Sequence, residues 1–307
     1  MYKFISIWLV FFYGVECRAQ QLFQQQYAVN GYNCSGPFLA AKSRDRKLVL
    51  ASTIIGPSGW QTPVLFKINP EDGSLLWARK PVTDNMHAQV TSLIVGASGE
   101  LLISGVYRTS AFAENFCFVM LFNQDGTIKW GNLINRPASA ERIKAVFLND
   151  NSVVLGFSPA DNPDLVSVCK FGNNGSREWI RNMRSGAGAL NQPGNYFRDI
   201  VPAPSGGFVL CTENHSGTEN RKVGLAACSV SGDIIESFNL KTVTENDLSS
   251  SSFIMNDQHE YIVALRLQHA LCAVKLLSNK EIAWQSNPVS IGFSLLNHTI
   301  IEGTPGR

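Results

Sequence analysis

The sequence predicts an all-β fold, a β-propeller of four-stranded antiparallel blades, and three observations support this prediction. Only 16% of the 307 residues are charged, whereas 45% are hydrophobic; ordinary soluble domains have about 25% charged residues. A turn glycine followed four residues later by tryptophan recurs along the chain. No long segment has the 3.6-residue period of an amphipathic helix. Blades that pack both faces against neighbours leave only turns and rim loops for charge, which accounts for the composition.

The glycine and tryptophan repeat has a period of about 50 residues, as in propeller blades. One copy has Glu in place of Trp, and another has Lys in place of Gly. The paired positions are Gly73 with Trp77, Gly126 with Trp130, Gly175 with Trp179, Gly232 with Glu236, and Lys280 with Trp284. We expect each tryptophan to wedge between adjacent blades, with contact area that Glu236 cannot supply. The alternative is a stacking platform for a sugar or a quinone.

Each copy contains two predicted β-hairpins. An apolar strand precedes the glycine turn, and Asp-Gly or Asn-Gly between two such strands is a strong hairpin signal. A second hairpin lies upstream, as in the apolar runs 88–95 and 101–103. Four short strands per copy divide the chain into units at about 30–82, 83–135, 136–184, 185–242 and 243–289, with a partial unit at 290–307.

The two ends of the chain are predicted to share a sixth, incomplete blade. Residues 22–28 have the pattern of an outer strand, and residues 291–297 and 298–303 have the pattern of the first two strands of a blade. A propeller that closes in this way removes its exposed edge strands. We therefore expect five full blades and one blade built from both termini. The alternative is a truncated reading frame that lacks its final blades.

Residues 1–19 have the pattern of a secretory signal peptide. Lys3 precedes an apolar run at 4–13, and Cys17 and Ala19 occupy the −3 and −1 positions of a cleavage site. Cleavage near Ala19 leaves residues 20–307 as a single propeller domain that is secreted, periplasmic or on the cell surface. The six cysteines after this site are far apart and mostly in apolar runs, so we expect buried thiols, with one or two disulfides as the alternative.

Two segments carry a resemblance to known proteins. Residues 206–210, Gly-Gly-Phe-Val-Leu, and 170–179, Lys-Phe-Gly-Asn-Asn-Gly-Ser-Arg-Glu-Trp, resemble secreted propeller repeats of Bacteroidetes-type bacteria. They are also similar to the propellers of quinoprotein alcohol dehydrogenases and a related outer-membrane assembly lipoprotein. The resemblance implies a fold and very little function. Quinone-dependent dehydrogenases have eight blades and acidic calcium ligands, and no such ligand set is identifiable in this sequence.

The sequence contains none of the common catalytic motifs. Neither a Gly-x-Ser-x-Gly elbow nor a His-Glu-x-x-His pair nor a phosphate-binding loop is present, and the histidines are dispersed. We therefore predict no metal site and no cofactor. The net charge of +2 gives no sign of nucleic-acid binding. No apolar run approaches the roughly 18 residues of a membrane span, and we expect a monomer.

Function in propellers usually lies on loops at one mouth of the central channel. We predict an exported, non-catalytic scaffold that binds a protein, a glycan or a cell-surface partner there. The alternative is a secreted enzyme, such as a lyase, a hydrolase or a quinone-type oxidoreductase, with its site at the channel. The candidate binding residues, all expected on loops, are Trp60, His87, Arg108, Arg142, Tyr196, Arg198 and His215.

Overall fold

The protein is all-β in the part that the computed structural model describes. The described residues are 33–34, 39–81, 87–109, 114–162, 165–183, 195–214, 222–240, 248–256, 258–267, 270–287 and 289–290. The strands are β1 (Asn33–Cys34), β2 (Leu39–Lys42), β3 (Leu48–Ile55), β4 (Gln61–Ile68), β5 (Leu75–Arg79), β6 (His87–Val95), β7 (Leu101–Arg108), β8 (Phe116–Phe122), β9 (Ile128–Phe147), β10 (Val153–Pro159), β11 (Val166–Phe171), β12 (Arg177–Met183), β13 (Asn195–Pro202), β14 (Phe208–Asn214), β15 (Lys222–Cys228), β16 (Ile234–Asn239), β17 (Leu248–Met255), β18 (Tyr261–Leu267), β19 (Ala270–Leu276), β20 (Ile282–Gln285) and β21 (Val289–Ser290).

The strands form five antiparallel blades of four strands each. Blade 1 contains β2–β5, blade 4 contains β13–β16 and blade 5 contains β17–β20, with β1 and β21 as short additions to blades 1 and 5. Blades 2 and 3 share β9, whose first half pairs with β8 and whose second half pairs with β10. Within each blade we call the first strand inner and the last strand outer. Neighbouring inner strands contact one another from β2 through β6, β9 and β13 to β17.

Strand β9 differs from the expectation of separate strands on either side of residue 135. It spans 20 residues, Ile128–Phe147, and passes without interruption from the outer position of blade 2 to the inner position of blade 3. Both halves find a partner strand, so the backbone hydrogen bonds continue through the crossing. The predicted signal peptide (1–19) and the terminal segments 22–28 and 291–303 lie outside the described residues.

The predicted hairpin turns are present. Gly73, Gly126, Gly175 and Gly232 all have positive φ, between 71° and 82°, which glycine adopts without steric cost. The carboxylate of Asp125 accepts hydrogen bonds from the backbone and the hydroxyl of Thr127 in the turn that contains Gly126. Because successive strands are antiparallel, the two hairpin turns of a blade lie at the same end. We call this the turn end, and the opposite end the loop end.

The tryptophans of the repeat pack forward onto the next blade. A Cβ atom added to Gly126 would lie 3.0 Å from the ring of Trp77, and one added to Gly175 would lie 2.7 Å from Trp130. Trp179 packs on Gly232 in the same way, at 2.9 Å. These three outer-strand tryptophans therefore each cover the turn glycine of the following blade, where a larger residue would clash, whereas Trp284 on the outer strand of blade 5 is 44% exposed. We call this arrangement the Trp–Gly contact.

The junction between blades 4 and 5 replaces the Trp–Gly contact with an ion pair. Glu236 stands where the other blades have tryptophan, and Lys280 stands where they have glycine. The Lys280 ammonium lies 2.8 Å from the Glu236 carboxylate, and Lys280 keeps the positive φ of the turn, at 70°. Glu236 and Lys280, the two residues that break the repeat, therefore compensate for each other by forming a contact across this blade junction.

We predict that restoring both repeat residues strengthens this junction. The double variant Glu236→Trp/Lys280→Gly should raise the thermal midpoint by about 2–4 °C, the shift for about 1 kcal/mol in a chain of this size. The half-exposed ion pair that it removes is worth at most about 1 kcal/mol, and glycine relieves the strain at positive φ. Differential scanning calorimetry measures the shift. If Glu236→Trp alone has the same thermal midpoint as the double variant, positions 236 and 280 do not act as a pair, and the prediction is wrong.

Three further ion pairs tie third strands to turns within blades. Lys67 on β4 lies 2.9 Å from Asp45, Lys170 on β11 lies 3.6 Å from Asp150, and Lys275 on β19 lies 2.8 Å from Glu260. Burial raises the pKa of Asp45, but hydrogen bonds from Ser43 and Lys67 outweigh it and hold the pKa at about 2, below the usual 3.8. Burial likewise raises the pKa of Asp150, but hydrogen bonds from Ser152 and the charge of Lys170 outweigh it, and the pKa is lowered.

These lowered pKa values predict an acid-sensitive fold. A carboxyl group whose pKa is lower in the folded state stabilises the protein above its unfolded pKa, and this stability is lost as the pH falls through the folded value. We expect the urea midpoint to be level above about pH 5 and to fall steeply from pH 3.8 to about 2, the interval between the two pKa values of Asp45. The variant Asp45→Asn should flatten this fall, whereas Glu71→Gln, at an exposed turn residue, should leave it unchanged.

The cysteines in the described strands are buried thiols. Cys117, Cys169, Cys211, Cys228 and Cys272 are all buried, and no disulfide joins them. Burial raises the pKa of the Cys228 thiol to about 12, so this group is a poor nucleophile at neutral pH. These five cysteines act as small apolar residues of the blade interiors.

Candidate functional site

The described candidate residues all lie toward the loop end of the blades. Trp60 ends the connection from β3 to β4, and His87 and Arg108 are the first residue of β6 and the last residue of β7. Arg142 lies in β9, and Tyr196 and Arg198 lie near the start of β13. His215 lies outside the described residues.

The expectation that these residues lie on loops is wrong for five of them, because the strands extend further toward the loop end than the apolar runs do. His87 pairs with Arg108 in the β6–β7 ladder, and Tyr196 pairs with Glu213 in the β13–β14 ladder. A prediction based on apolar runs ends each strand before its terminal polar residues. Their side chains are consequently carried by hydrogen-bonded strands, which hold them more rigidly than loops would.

An aromatic cluster lies between blades 1 and 2. The rings of Trp60 and His87 have their centroids 4.4 Å apart and are tilted by 38°. The backbone N–H of Gln61 donates a hydrogen bond of 3.4 Å to Nδ1 of His87. The turn before Trp60 is closed by two backbone hydrogen bonds, one of which joins the Gly56 N–H to the Trp60 carbonyl. The half-buried indole is therefore held on a fixed turn, and we call this pair, with Arg108, the Trp60 cluster.

A charged cluster lies at the loop end of blades 3 and 4. Nε of Arg198 lies 2.8 Å from Oε2 of Glu213, whose side chain is completely buried. The Arg198 guanidinium also lies 5.9 Å from the centre of the Tyr196 ring, within the range of a cation–π interaction. A register shift between Phe197 and Asp199 places Arg198 in a β-bulge, and bulges commonly redirect a side chain beside a functional site.

Arg142 belongs to the same cluster. Burial lowers the pKa of its guanidinium, the nearby positive charge of Arg198 lowers it further, and the charges of Asp199 and Glu213 act in the opposite direction. The net effect is a lowered pKa, so the arginine remains cationic in surroundings that disfavour its charge. We call Arg142, Tyr196, Arg198 and Glu213 the arginine cluster.

Asp199 links three neighbouring inner strands beside the arginine cluster. Its Oδ1 lies 2.5 Å from Nζ of Lys144 on β9, and its Oδ2 accepts a hydrogen bond of 3.1 Å from the backbone N–H of Phe253 on β17. Hydroxyl groups make similar links: Ser158 accepts a hydrogen bond from the backbone N–H of Phe197 between blades 3 and 4, and Thr53 accepts one from that of Val90 between blades 1 and 2. Asp199 and Lys144 thus form a polar brace that fixes the strands carrying the two arginines.

Lys144, Asp199 and Glu213 are candidate functional-site residues that the sequence pattern did not predict. Each of these charged residues lies within a strand, and Asp199 and Glu213 are almost or completely buried at 3% and 0% exposure. A buried charge is costly unless it is paired, so such a residue predicts a partner. The sequence could not indicate which partner, because the pairs join residues separated by 15 to 55 positions.

Two negative findings apply to the described residues. Within these ranges no group of three or more His, Cys, Asp or Glu side chains is arranged to hold a metal ion. No helix with the length and hydrophobicity to cross a membrane occurs there either.

Comparison with solved structures supports the propeller fold. A protein from Lactobacillus plantarum matches with a TM-score of 0.55 at 14% identity, over 89% of this chain and 76% of that one. A polysaccharide lyase, the PL25 ulvan lyase bound to -[GlcA(1-4)Rha3S]-, matches with a TM-score of 0.53 at 10% identity, over 83% and 73%. The quinohemoprotein alcohol dehydrogenase of Comamonas testosteroni matches with a TM-score of 0.51 at 10% identity, over 85% and 53%.

At these identities the likeness extends to the fold alone, and the fold is shared by enzymes of different chemistry. The similarity to the quinohemoprotein dehydrogenase agrees with the resemblance to quinoprotein propellers at that level. The sequence matches no protein-family model and no curated protein.

Proposed function

We propose that this propeller is a binding protein whose loop end takes an anionic ligand, with the arginine cluster as the binding site. The observation that carries the proposal is that Arg142 on β9 and Arg198 on β13 belong to contacting inner strands of two different blades, which the Lys144–Asp199 pair joins, with Tyr196 beside Arg198. Arginine is the side chain best suited to carboxylate and sulfate groups, because its planar fork of N–H donors matches their oxygen atoms.

The surroundings of the two arginines support this proposal. Two like charges held close together in a partly buried site repel each other, and a bound anion would relieve this repulsion. Glu213 pairs with Arg198 and Asp199 pairs with Lys144, and both carboxylates also favour the charge of Arg142. The brace through Asp199 holds the strands in place, so the arginines are positioned before a ligand arrives.

Titration calorimetry with digalacturonate, a small dicarboxylate sugar, tests the proposal. We expect Arg142→Gln to weaken binding about tenfold, the loss of about 1.5 kcal/mol expected for a hydrogen bond to a charged group. Arg177→Gln removes the same charge from an exposed position at the turn end and should leave the affinity within twofold. Equal losses in both variants, or no binding to the native protein, would overturn the proposal.

A second candidate function is an enzyme that acts on such a ligand at the same place. It is favoured by the presence of Tyr196, with a proton-bearing phenol, next to the Arg198 guanidinium and the buried Glu213 carboxylate. Prolonged incubation of the native protein with oligogalacturonates, followed by mass spectrometry, distinguishes the two functions. Cleavage that is lost in Tyr196→Phe supports the enzyme, and intact oligosaccharide supports the binding protein.

We also propose that the chain is exported after cleavage near Ala19, like the secreted Bacteroidetes-type propellers that it resembles, and that its ends share a sixth blade. The burial of blade 1 on the side away from blade 2 supports the shared blade. Blade 2 covers one face of blade 1. On the opposite face, Ile54, Val64 and Phe66 form a small apolar cluster, and each is only 1% exposed. Deleting residues 291–307 should then lower the thermal midpoint, which calorimetry would detect.

A further inference from the structure

We propose that the ligand is an extended acidic glycan and that the Trp60 cluster is a second subsite, where one of its sugar rings stacks. This inference rests on the proposed function, because it assumes that an anionic group occupies the arginine cluster. It adds the class of the ligand, a chain of sugars with carboxylate or sulfate groups, and it assigns a role to the aromatic pair between blades 1 and 2.

The geometry of Trp60 suits stacking. Its ring rests at a tilt against His87, and the indole remains only half-buried. Gly59, immediately before it, has a φ of 79° and nothing within 4 Å of the place where a Cβ would be. Space is therefore open beside the aromatic residue. The hydrogen bonds that close the turn at Gly56 keep the indole in place, so little conformational entropy is lost when a ligand binds.

The polar groups around the indole suit a sugar better than a purely apolar ligand. The Gln61 N–H donates to Nδ1 of His87, which assigns the proton of the neutral imidazole to Nε2. His87 therefore offers a donor for a hydroxyl group. Arg108, its cross-strand partner in the β6–β7 ladder, brings a positive charge to the same end of these strands. The indole of Trp60 gives a flat apolar surface, His87 a hydrogen-bond donor and Arg108 a positive charge. This combination suits a pyranose ring that carries an acidic group.

The placement of the two clusters suits an extended ligand. Both lie at the loop end, the Trp60 cluster between blades 1 and 2 and the arginine cluster at blades 3 and 4. Packed sheets are about 10 Å apart, so the clusters are separated by more than one sheet spacing. One monosaccharide does not reach both of them, whereas an oligosaccharide does. The ligand would therefore lie across the loop end of the inner strands.

Oligogalacturonates of two lengths, with titration calorimetry, test the inference. For hexagalacturonate we expect Trp60→Ala to weaken binding about tenfold, the factor for about 1.4 kcal/mol, while the affinity for digalacturonate stays within twofold. Trp60→Phe, which keeps an aromatic face, should restore most of the loss. Trp284→Ala is the matched control, because it removes another exposed tryptophan, 44% accessible, on the outer strand of blade 5, and it should change neither affinity.

The outcomes separate this inference from the proposed function. If digalacturonate binds and depends on Arg142, but Trp60→Ala affects both lengths equally or neither, the second subsite is refuted and the proposed function stands. If neither length binds, both fail. An acidic peptide of matched charge, hexaglutamate, provides the last comparison. If it binds as tightly as hexagalacturonate and loses as much in Trp60→Ala, the ligand class is a peptide and the glycan assignment is overturned.

Discussion

Replacing Trp130 with alanine is expected to destabilise the protein by about 3–5 kcal/mol, the range for truncating a buried aromatic residue. Trp130 is the most deeply buried member of the repeat, with 9% of its surface exposed. Its ring packs on Gly175, and its Nε1 donates a hydrogen bond of 3.0 Å to the carbonyl of Asn173. The variant thus loses apolar contact and a hydrogen bond at the junction of blades 2 and 3.

Urea unfolding followed by circular dichroism measures this loss. Trp284→Ala is the control, since it makes the same chemical change at a residue that is 44% exposed, and it should cost less than about 1 kcal/mol. Equal losses in the two variants would mean that burial against the next turn contributes nothing. In that case the Trp–Gly contact would not be a source of stability.

Replacing Arg198 with methionine is expected to destabilise the protein by about 3–5 kcal/mol, the cost of leaving one member of a buried ion pair without its partner. The Glu213 side chain is completely buried, and 12% of the Arg198 side chain is exposed. Methionine keeps most of the volume of the aliphatic part of arginine. The loss of unfolding free energy therefore comes from the missing charge more than from packing. Urea unfolding at pH 7 without ligand gives the value.

The double variant Arg198→Met/Glu213→Leu distinguishes pairing from general disruption. Replacing both members of a buried pair by apolar residues is often nearly neutral, so we expect the double variant to recover more than half of the loss. If the double variant is as unstable as the sum of Arg198→Met and Glu213→Leu, the two side chains act independently, and Glu213 does not hold Arg198 in place.

The sequence was sufficient to predict the hairpins and the blade pattern. Turns that need positive φ select glycine, and strands buried on both sides must be apolar, so local residues encode both features. The turns at Gly126 and Gly175 and the strands on either side of them follow from these rules. The number of positions in the ring does not follow from them, because it depends on how the ends of the chain pair.

The candidate site was only partly predictable. Arg142 and Arg198 stood out as charges in a charge-poor chain, but nothing local indicated that they share a cluster. Their proximity depends on the register of β9 and β13 and on the bulge at Arg198. Glu236 and Lys280 show the same limit, because each looks like a defect of the repeat until their contact across the junction is seen.

The forward direction of the Trp–Gly contact has a consequence for synthesis of the chain. A ribosome makes each tryptophan before the glycine that it covers, and the two are separated by more than 40 residues, as the hydrogen bond from Trp130 to Asn173 illustrates. Blades 1, 2 and 3 therefore each present an uncovered indole as they leave the exit tunnel, until the outer hairpin of the following blade emerges. Since domains fold from the N-terminal end during synthesis, the Trp–Gly contacts leave one aromatic surface exposed at each of these three junctions until the next blade is made.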